Sequence, residues 1–100
     1  MALARVVSFD GVSSDRMAEM AQEMEQGSPP DGMPPAELMI LHDPGAERAL
    51  AVIVFEHEDD YRKGDEILDA MPAGDTPGRR ASVTRYDVSI RRKIDGTPLS

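Results

Sequence analysis

Residues 36–56, AELMILHDPGAERALAVIVFE, contain the two apolar runs that decide the fold. Residues 36–43 and 48–56 are each apolar enough for a buried strand, and Asp43-Pro44-Gly45-Ala46 between them has the composition of a β-turn. Two apolar runs joined by so short a linker predict an antiparallel hairpin. The second run is apolar at nearly every position, which predicts that both faces of its strand are buried.

The flanking sequence predicts two further strands and two helices. Val6 and Val7 favour a strand over residues 3–9, and the alternation of residues 79–91 predicts a long last strand. Helices are predicted over residues 12–27 and 57–72. Their predicted buried faces are Met17, Met20, Ala21 and Met24 in the first helix, and Tyr61, Gly64, Leu68 and Met71 in the second.

Local signals agree with these helices. Ser13 is the predicted N-cap of the first helix, with Val12 and Met17 forming a hydrophobic staple, and Gly27 is its predicted stop. Gly64 lies in the middle of the second helix, where glycine costs about 1 kcal/mol relative to alanine. Its predicted use is a close approach of helix to sheet, and a hinge is the alternative.

The order strand–helix–strand–strand–helix–strand is that of the ferredoxin-like βαββαβ motif. It predicts an α+β fold with a four-stranded antiparallel sheet and two helices on one face. We expect a single domain over residues 1–92 and a flexible tail over residues 93–100. Two helices can cover only one face of this sheet. A second copy of the chain is therefore expected to cover the other, as a homodimer.

Charge and composition exclude several classes of function. The chain has 100 residues and a formal net charge of -8, which argues against nucleic-acid binding. Residues 76–100 are nevertheless basic, and they either balance the acidic helices or form an anion site with Arg79, Arg80 and Arg85. No cysteine is present, so thiolate ligands and a cysteine nucleophile are excluded. Neither a signal peptide nor a membrane span is predicted, and the expected location is cytoplasmic.

The element order, the apolar third strand and residues 55–72, FEHEDDYRKGDEILDAMP, resemble the small dimeric α/β-barrel proteins. These include antibiotic-biosynthesis-monooxygenase-like and stress-responsive barrel domains. The chain also resembles bacterial proteins of unknown function that share a segment like residues 76–88, TPGRRASVTRYDV. The resemblance spans residues 2–92. It implies that two four-stranded sheets pack face to face and enclose a space for a ligand.

Four residues are candidates for a ligand site. His42 ends the second strand and is either a structural or interface histidine or a ligand or base. Arg5 and Arg85 lie within strands, where a charge must be paired or reach water. Each either faces a cavity and binds an anion, pairs with Glu37 or Asp87, or lies at a wet sheet edge. Tyr86 is expected on the opposite face from Arg85.

No residue pattern predicts a metal or a cofactor. His42 and His57 lack the spacing of a metal motif, and the carboxylates of residues 56–69 are typical of a solvated helix. Three functions remain open. The first is a homodimeric barrel that binds a small apolar or anionic molecule. The second is a cofactor-independent monooxygenase- or isomerase-like enzyme for an aromatic or polyketide-like substrate, with His42, Tyr86 or Arg85 as polar partners. The third is a structural module that docks on another protein.

Overall fold

The structure is a computed structural model that describes residues 2–70, 78–92, 94 and 96. Its elements alternate in the predicted order, which confirms the α+β class. They are β1 (Leu3–Asp10), α1 (Ser14–Gln26), β2 (Glu37–Asp43), β3 (Arg48–Phe55), α2 (Glu58–Asp69) and β4 (Arg79–Asp87).

The four strands form one antiparallel sheet in the order β2-β3-β1-β4. The predicted hairpin is confirmed, because β2 pairs with β3 along its whole length. Within the described ranges this sheet is open and does not close into a barrel. The arrangement is compatible with a ferredoxin-like topology.

Both helices pack on the same face of the sheet, which we call the helix-covered face. One core cluster joins the α2 residue Tyr61 to strand residues, and the other joins the α1 residue Met17 to strand residues. The strand members are Leu3, Ile53 and Phe55 in the first cluster, and Val7, Phe9 and Ala49 in the second. All of them lie at alternate positions of the two inner strands, β1 and β3, and therefore share one face.

The start of α1 follows the sequence prediction. The Arg16 backbone N–H donates to the Ser13 hydroxyl at 3.1 Å, which satisfies one free donor of the first turn. Val12 and Met17 belong to the same core cluster, as the staple predicts. The predicted apolar face is only partly correct. Met20 is buried, whereas Ala21 and Met24 are exposed, because α1 contacts the sheet mainly through its first half.

Helix α2 lies close to the sheet at Gly64. Tyr61 packs edge-on against Phe55, with ring centroids 5.7 Å apart, and Leu68 packs on the same cluster. A Cβ atom at Gly64 would collide with the Phe55 ring. The predicted close approach is thus confirmed. The Phe55 ring occupies the space that a side chain at position 64 would need. The fourth predicted face residue, Met71, lies outside the described residues.

The helices cover β3 on one face only, since Leu50 is 39% exposed and Val52 is partly exposed. The prediction that both faces of β3 are buried therefore depends on a second copy of the chain and stays a prediction. One prediction about strands needs correction: β4 ends at Asp87 rather than at residue 91. Asp87 pairs with Leu3, the first residue of β1, and beyond this pair the Val88 N–H donates to the Ala2 carbonyl oxygen at 3.0 Å. Most of the predicted loop 73–78 and most of the predicted tail 93–100 lie outside the described residues.

Replacing Gly64 with alanine tests the helix–sheet approach. We expect Gly64→Ala to lower the free energy of unfolding by about 1–3 kcal/mol, because the Cβ atom overpacks the Phe55 ring. This loss outweighs the gain of about 1 kcal/mol in helix propensity. The measurement is urea unfolding. Gly45→Ala is the matched control, since its Cβ would make only an ordinary contact of 3.6 Å with Asp43. Equal effects of the two changes would contradict the packing argument.

Candidate functional site

The second face of the sheet, which we call the open face, lies on the side away from both helices. It is defined by the strand residues that alternate with those facing the helices and pair with each other in register. From edge to edge these are Met39 and Leu41 on β2, Leu50, Val52 and Val54 on β3, Ala4, Val6 and Ser8 on β1, and Ser82, Thr84 and Tyr86 on β4. Its centre is thus formed almost entirely by apolar side chains.

Several large side chains of the open face are in contact with solvent. Tyr86 is 55% exposed, Met39 is 54% exposed and Leu41 is 46% exposed. The sheet measures roughly 19 Å across its strands and 25 Å along them. The exposed apolar side chains at the centre of this face are typical of an interaction site, because monomeric proteins seldom leave a large contiguous apolar patch exposed. The open face is therefore the candidate functional surface.

A recess of about 200 Å³ lies at one end of the open face. Its walls come from β2, β3 and the segment that follows β4. They are Glu37, Met39, Val52, Val54, Val88 and Arg91. Four of these six side chains are apolar, so the recess suits an apolar group beside a charged rim.

Arg91 fixes the segment after β4 over this end of the sheet. Its guanidinium donates to Glu56 at 2.6 Å and to Glu37, although β4 and β2 are the two opposite edges of the sheet. The hydrogen bonds from Arg91 to Glu56 and to Glu37 raise the pKa of Arg91. The segment after β4 consequently reaches, through the Arg91 side chain, the opposite edge of the sheet.

Of the four predicted site residues, only Tyr86 lies on the open face. Arg5, Arg85 and His42 lie on the helix-covered face, as their register partners show. The expectation that Arg85 and Tyr86 face opposite ways is confirmed. The structure therefore does not bring the four side chains together.

Arg5 is 2% exposed and lies beneath α2. Its Nε atom donates to Asp65 at 2.8 Å, and its Nη2 atom donates to Asp69 at 2.9 Å. The suggested partners Glu37 and Asp87 are therefore wrong. The true partners lie four residues apart, and residues so spaced share one face of a helix. A buried charge needs a counter-charge, and these two ion pairs hold α2 against β1.

Arg85 lies beside Tyr61 on the same side of the sheet. Its guanidinium carbon is 5.1 Å from the centre of the Tyr61 ring, and its Nη2 atom donates to Glu58 at 3.4 Å. Burial raises the pKa of the Tyr61 phenol, and the charges of Asp65 and Asp69 add to the rise. The charges of Arg5 and Arg85 act in the opposite direction. These contacts belong to the closely packed interface between α2 and the sheet.

His42 forms a hydrogen bond with the backbone of Val12. Its Nε2 atom lies 2.9 Å from the Val12 carbonyl oxygen, which can only accept, so Nε2 carries the proton and donates. The second histidine, His57, is the exposed N-cap residue of α2. In the part of the chain that the structure describes, no group of three or more His, Asp or Glu side chains could hold a metal ion.

Sequence reasoning missed the residues that close the recess. Glu37 and Arg91 are 54 positions apart, and no local pattern links them. Asp65 and Asp69 carry a weak signal, since two carboxylates at i and i+4 can receive one buried arginine.

Comparisons with models of known protein families and with curated proteins find no match to this chain. Within the described residues, no helix is both long enough and apolar enough to cross a membrane. What these findings define is a small α+β domain with one helix-covered face and one open, apolar face. The geometry of that open face is the basis for the function proposed below.

The Arg5 pairing predicts unequal costs for its two sides. Asp65→Asn with Asp69→Asn leaves a buried guanidinium without a counter-charge, and we expect a loss of about 3 kcal/mol in unfolding free energy. Arg5→Met places an apolar chain in the same space and leaves two carboxylates that reach water, since Asp65 and Asp69 are 35% and 54% exposed. We expect a loss of about 1 kcal/mol or less for that change.

Urea unfolding at neutral pH measures both costs. Arg62→Met is the control on the same helix, because its pair with Asp59 is exposed and is expected to contribute less than about 1 kcal/mol. A larger loss for Arg5→Met than for the double carboxamide variant would contradict this account of the buried charge.

Proposed function

We propose that the protein is one subunit of a ferredoxin-like homodimer in which two open faces pack together as a dimeric α/β barrel and enclose a space for a small apolar or anionic molecule. The single observation that carries the proposal is the apolar open face. Burial of this surface is favourable by about 25 cal/mol per Å² removed from water. A second copy supplies an equal apolar surface of the same shape, and closed twofold assembly is the commonest form of oligomer.

The recess beneath Arg91 supports the ligand part of the proposal. Met39, Val52, Val54 and Val88 provide apolar walls, and Arg91 provides a cation at the rim. A molecule with a short hydrocarbon body and a carboxylate or phosphate matches this combination, since a guanidinium binds either group through two parallel hydrogen bonds. The anionic group would take the place of Glu37 or Glu56 beside Arg91. We place this binding function in the cytoplasm.

The enzymatic alternative has less support. An oxygenase or isomerase acting between the sheets needs polar groups inside that space. Tyr86 lies on the open face, whereas His42 and Arg85 lie on the helix-covered face and bind Val12 and Glu58. Binding therefore accounts for the arrangement better than catalysis does.

The third alternative, a docking module, rests on a different observation. Strand β4 is an edge strand that is exposed along all nine residues, and an exposed edge can pair with a strand of another protein. This mode leaves the open face uncovered, so it fits the surface less well than a homodimer does.

A charge placed on the open face tests the homodimer. We expect Met39→Lys to weaken dimerisation by at least about 100-fold, because it removes a buried apolar chain from each subunit and buries a charge. Met24→Lys is the matched control, since Met24 is also about half exposed but lies on α1. Sedimentation velocity between about 1 and 100 μM measures the monomer–dimer equilibrium.

Circular dichroism should give the same spectrum for both variants, since each side chain already contacts solvent. The proposal is contradicted if the parent chain sediments as a monomer throughout, or if the two variants dimerise equally well.

Two eight-carbon probes test the ligand. We expect octanoate to raise the thermal midpoint of unfolding more than octanol does, because only octanoate carries a charge that can form an ion pair with Arg91. A ligand at 100 times its Kd adds about 2.7 kcal/mol. Arg91→Gln should abolish the difference between the probes, whereas Arg62→Gln on α2 should preserve it. If neither probe stabilises the dimer, the ligand part of the proposal is wrong.

A further inference from the structure

Four charged residues cross the open face in register at the end opposite the recess. Arg79 on β4 pairs with Asp10 on β1, Asp10 pairs with Arg48 on β3, and Arg48 pairs with Asp43 on β2. We call these four residues the charged row. Their signs alternate from one edge of the sheet to the other, in the order plus, minus, plus, minus.

The charged row remains accessible to a partner. Arg48 and Asp10 lie 3.6 Å apart at their nearest atoms, yet their side chains are 71% and 41% exposed. Asp43 and Arg79 are exposed and occupy the two edge strands, three strand spacings or about 14 Å apart. The two edge charges are therefore too far apart to pair with each other in one chain.

In a face-to-face dimer, the direction of the twofold axis determines which residues of the partner subunit lie opposite the charged row. If the twofold axis runs parallel to the strands, the charged rows of the two subunits lie at the same end of the interface. The strand order of one sheet is then the reverse of the order in the sheet that it faces. Each positive residue then faces a negative one across the whole width of the sheet. A twofold axis across the strands places the row against the recess end of the other copy, and this matching is lost.

We infer that the twofold axis of the homodimer runs along the strands, so that Asp43 of each subunit faces Arg79 of the partner subunit. This inference rests on the proposed homodimer and gives it a geometry. Opposite charges across an interface fix its register, and like charges placed together suppress the wrong arrangement. The charged row thus selects one orientation of two otherwise uniform apolar faces.

The same axis completes the ligand recess with a residue of the second subunit. Glu37, at the recess end of β2, is in register with Val54, Ala4 and finally Tyr86 on β4. Reversing the strand order places Tyr86 of the partner subunit over the recess of the first subunit. The site therefore combines apolar walls and Arg91 from one chain with an aromatic ring from the other, and it forms twice per dimer.

Two charge reversals test the orientation. We expect Asp43→Lys and Arg79→Glu each to weaken dimerisation about tenfold, because each change creates two like-charged contacts per dimer. An equimolar mixture of the two variants should recover the dimerisation of the parent chain. In the mixed dimer, the new lysine faces the new glutamate at one edge, and the original residues face each other at the other edge. Sedimentation velocity on the full chain measures all of these equilibria.

Two controls separate facing charges from other effects. Asp31→Lys in the connector before β2 changes the net charge as Asp43→Lys does, but its mixture with Arg79→Glu should stay weaker than the parent. Asp43→Asn removes only the charge and keeps an oxygen for the Ala46 N–H, which donates to Asp43 at 3.2 Å. It should therefore dimerise more tightly than Asp43→Lys.

The outcomes distinguish the inference from the homodimer itself. Recovery in the mixture supports the axis along the strands. If the parent chain dimerises but the mixture stays as weak as the two variants, or if the variants dimerise normally, the orientation is wrong and the homodimer stands. A parent chain that remains monomeric at about 100 μM overturns both.

Discussion

The inner strands of the sheet, β1 and β3, carry mainly apolar side chains on both faces of the sheet. The two helices cover only one face, through contacts of Tyr61 and Met17 with the inner strands. Burying apolar surface is the main favourable term in folding and association, so the uncovered face is the constraint on which the other conclusions depend. A protein of this size also has a small core of its own, and a shared interface enlarges the apolar volume that stabilises each subunit.

The helix-covered face is held by interactions of a different kind. Close packing of Gly64 on Phe55 and the buried pairing of Arg5 with two carboxylates fix α2 against β1 and β3. Because Arg5, Arg85 and His42 are engaged in this layer, the open face keeps an apolar centre with charges at its two ends. That division leaves the stabilising contacts on one side of the sheet and the proposed homodimer interface on the other.

How far the sequence predicts this molecule depends on how local each interaction is. The Ser13 cap, the hairpin and the use of Gly64 follow from neighbouring residues, and all three are confirmed. The partners of Arg5 and the contact of Arg91 with Glu37 join residues 54 to 64 positions apart, and they follow only from the packed fold. The early end of β4 likewise depends on its pairing with β1, in which Asp87 lies opposite Leu3.

The central claim is that a second copy covers the open face, and distances between two copies test it most directly. Since the chain has no cysteine, Thr84→Cys introduces a single attachment site for a nitroxide label at the open face. Double electron–electron resonance on the labelled protein should give an intersubunit distance below about 25 Å, because packed sheets lie about 10 Å apart. A label at Met24→Cys on α1 should give a longer distance. No dipolar coupling at position 84, or a shorter distance at position 24, would contradict the account.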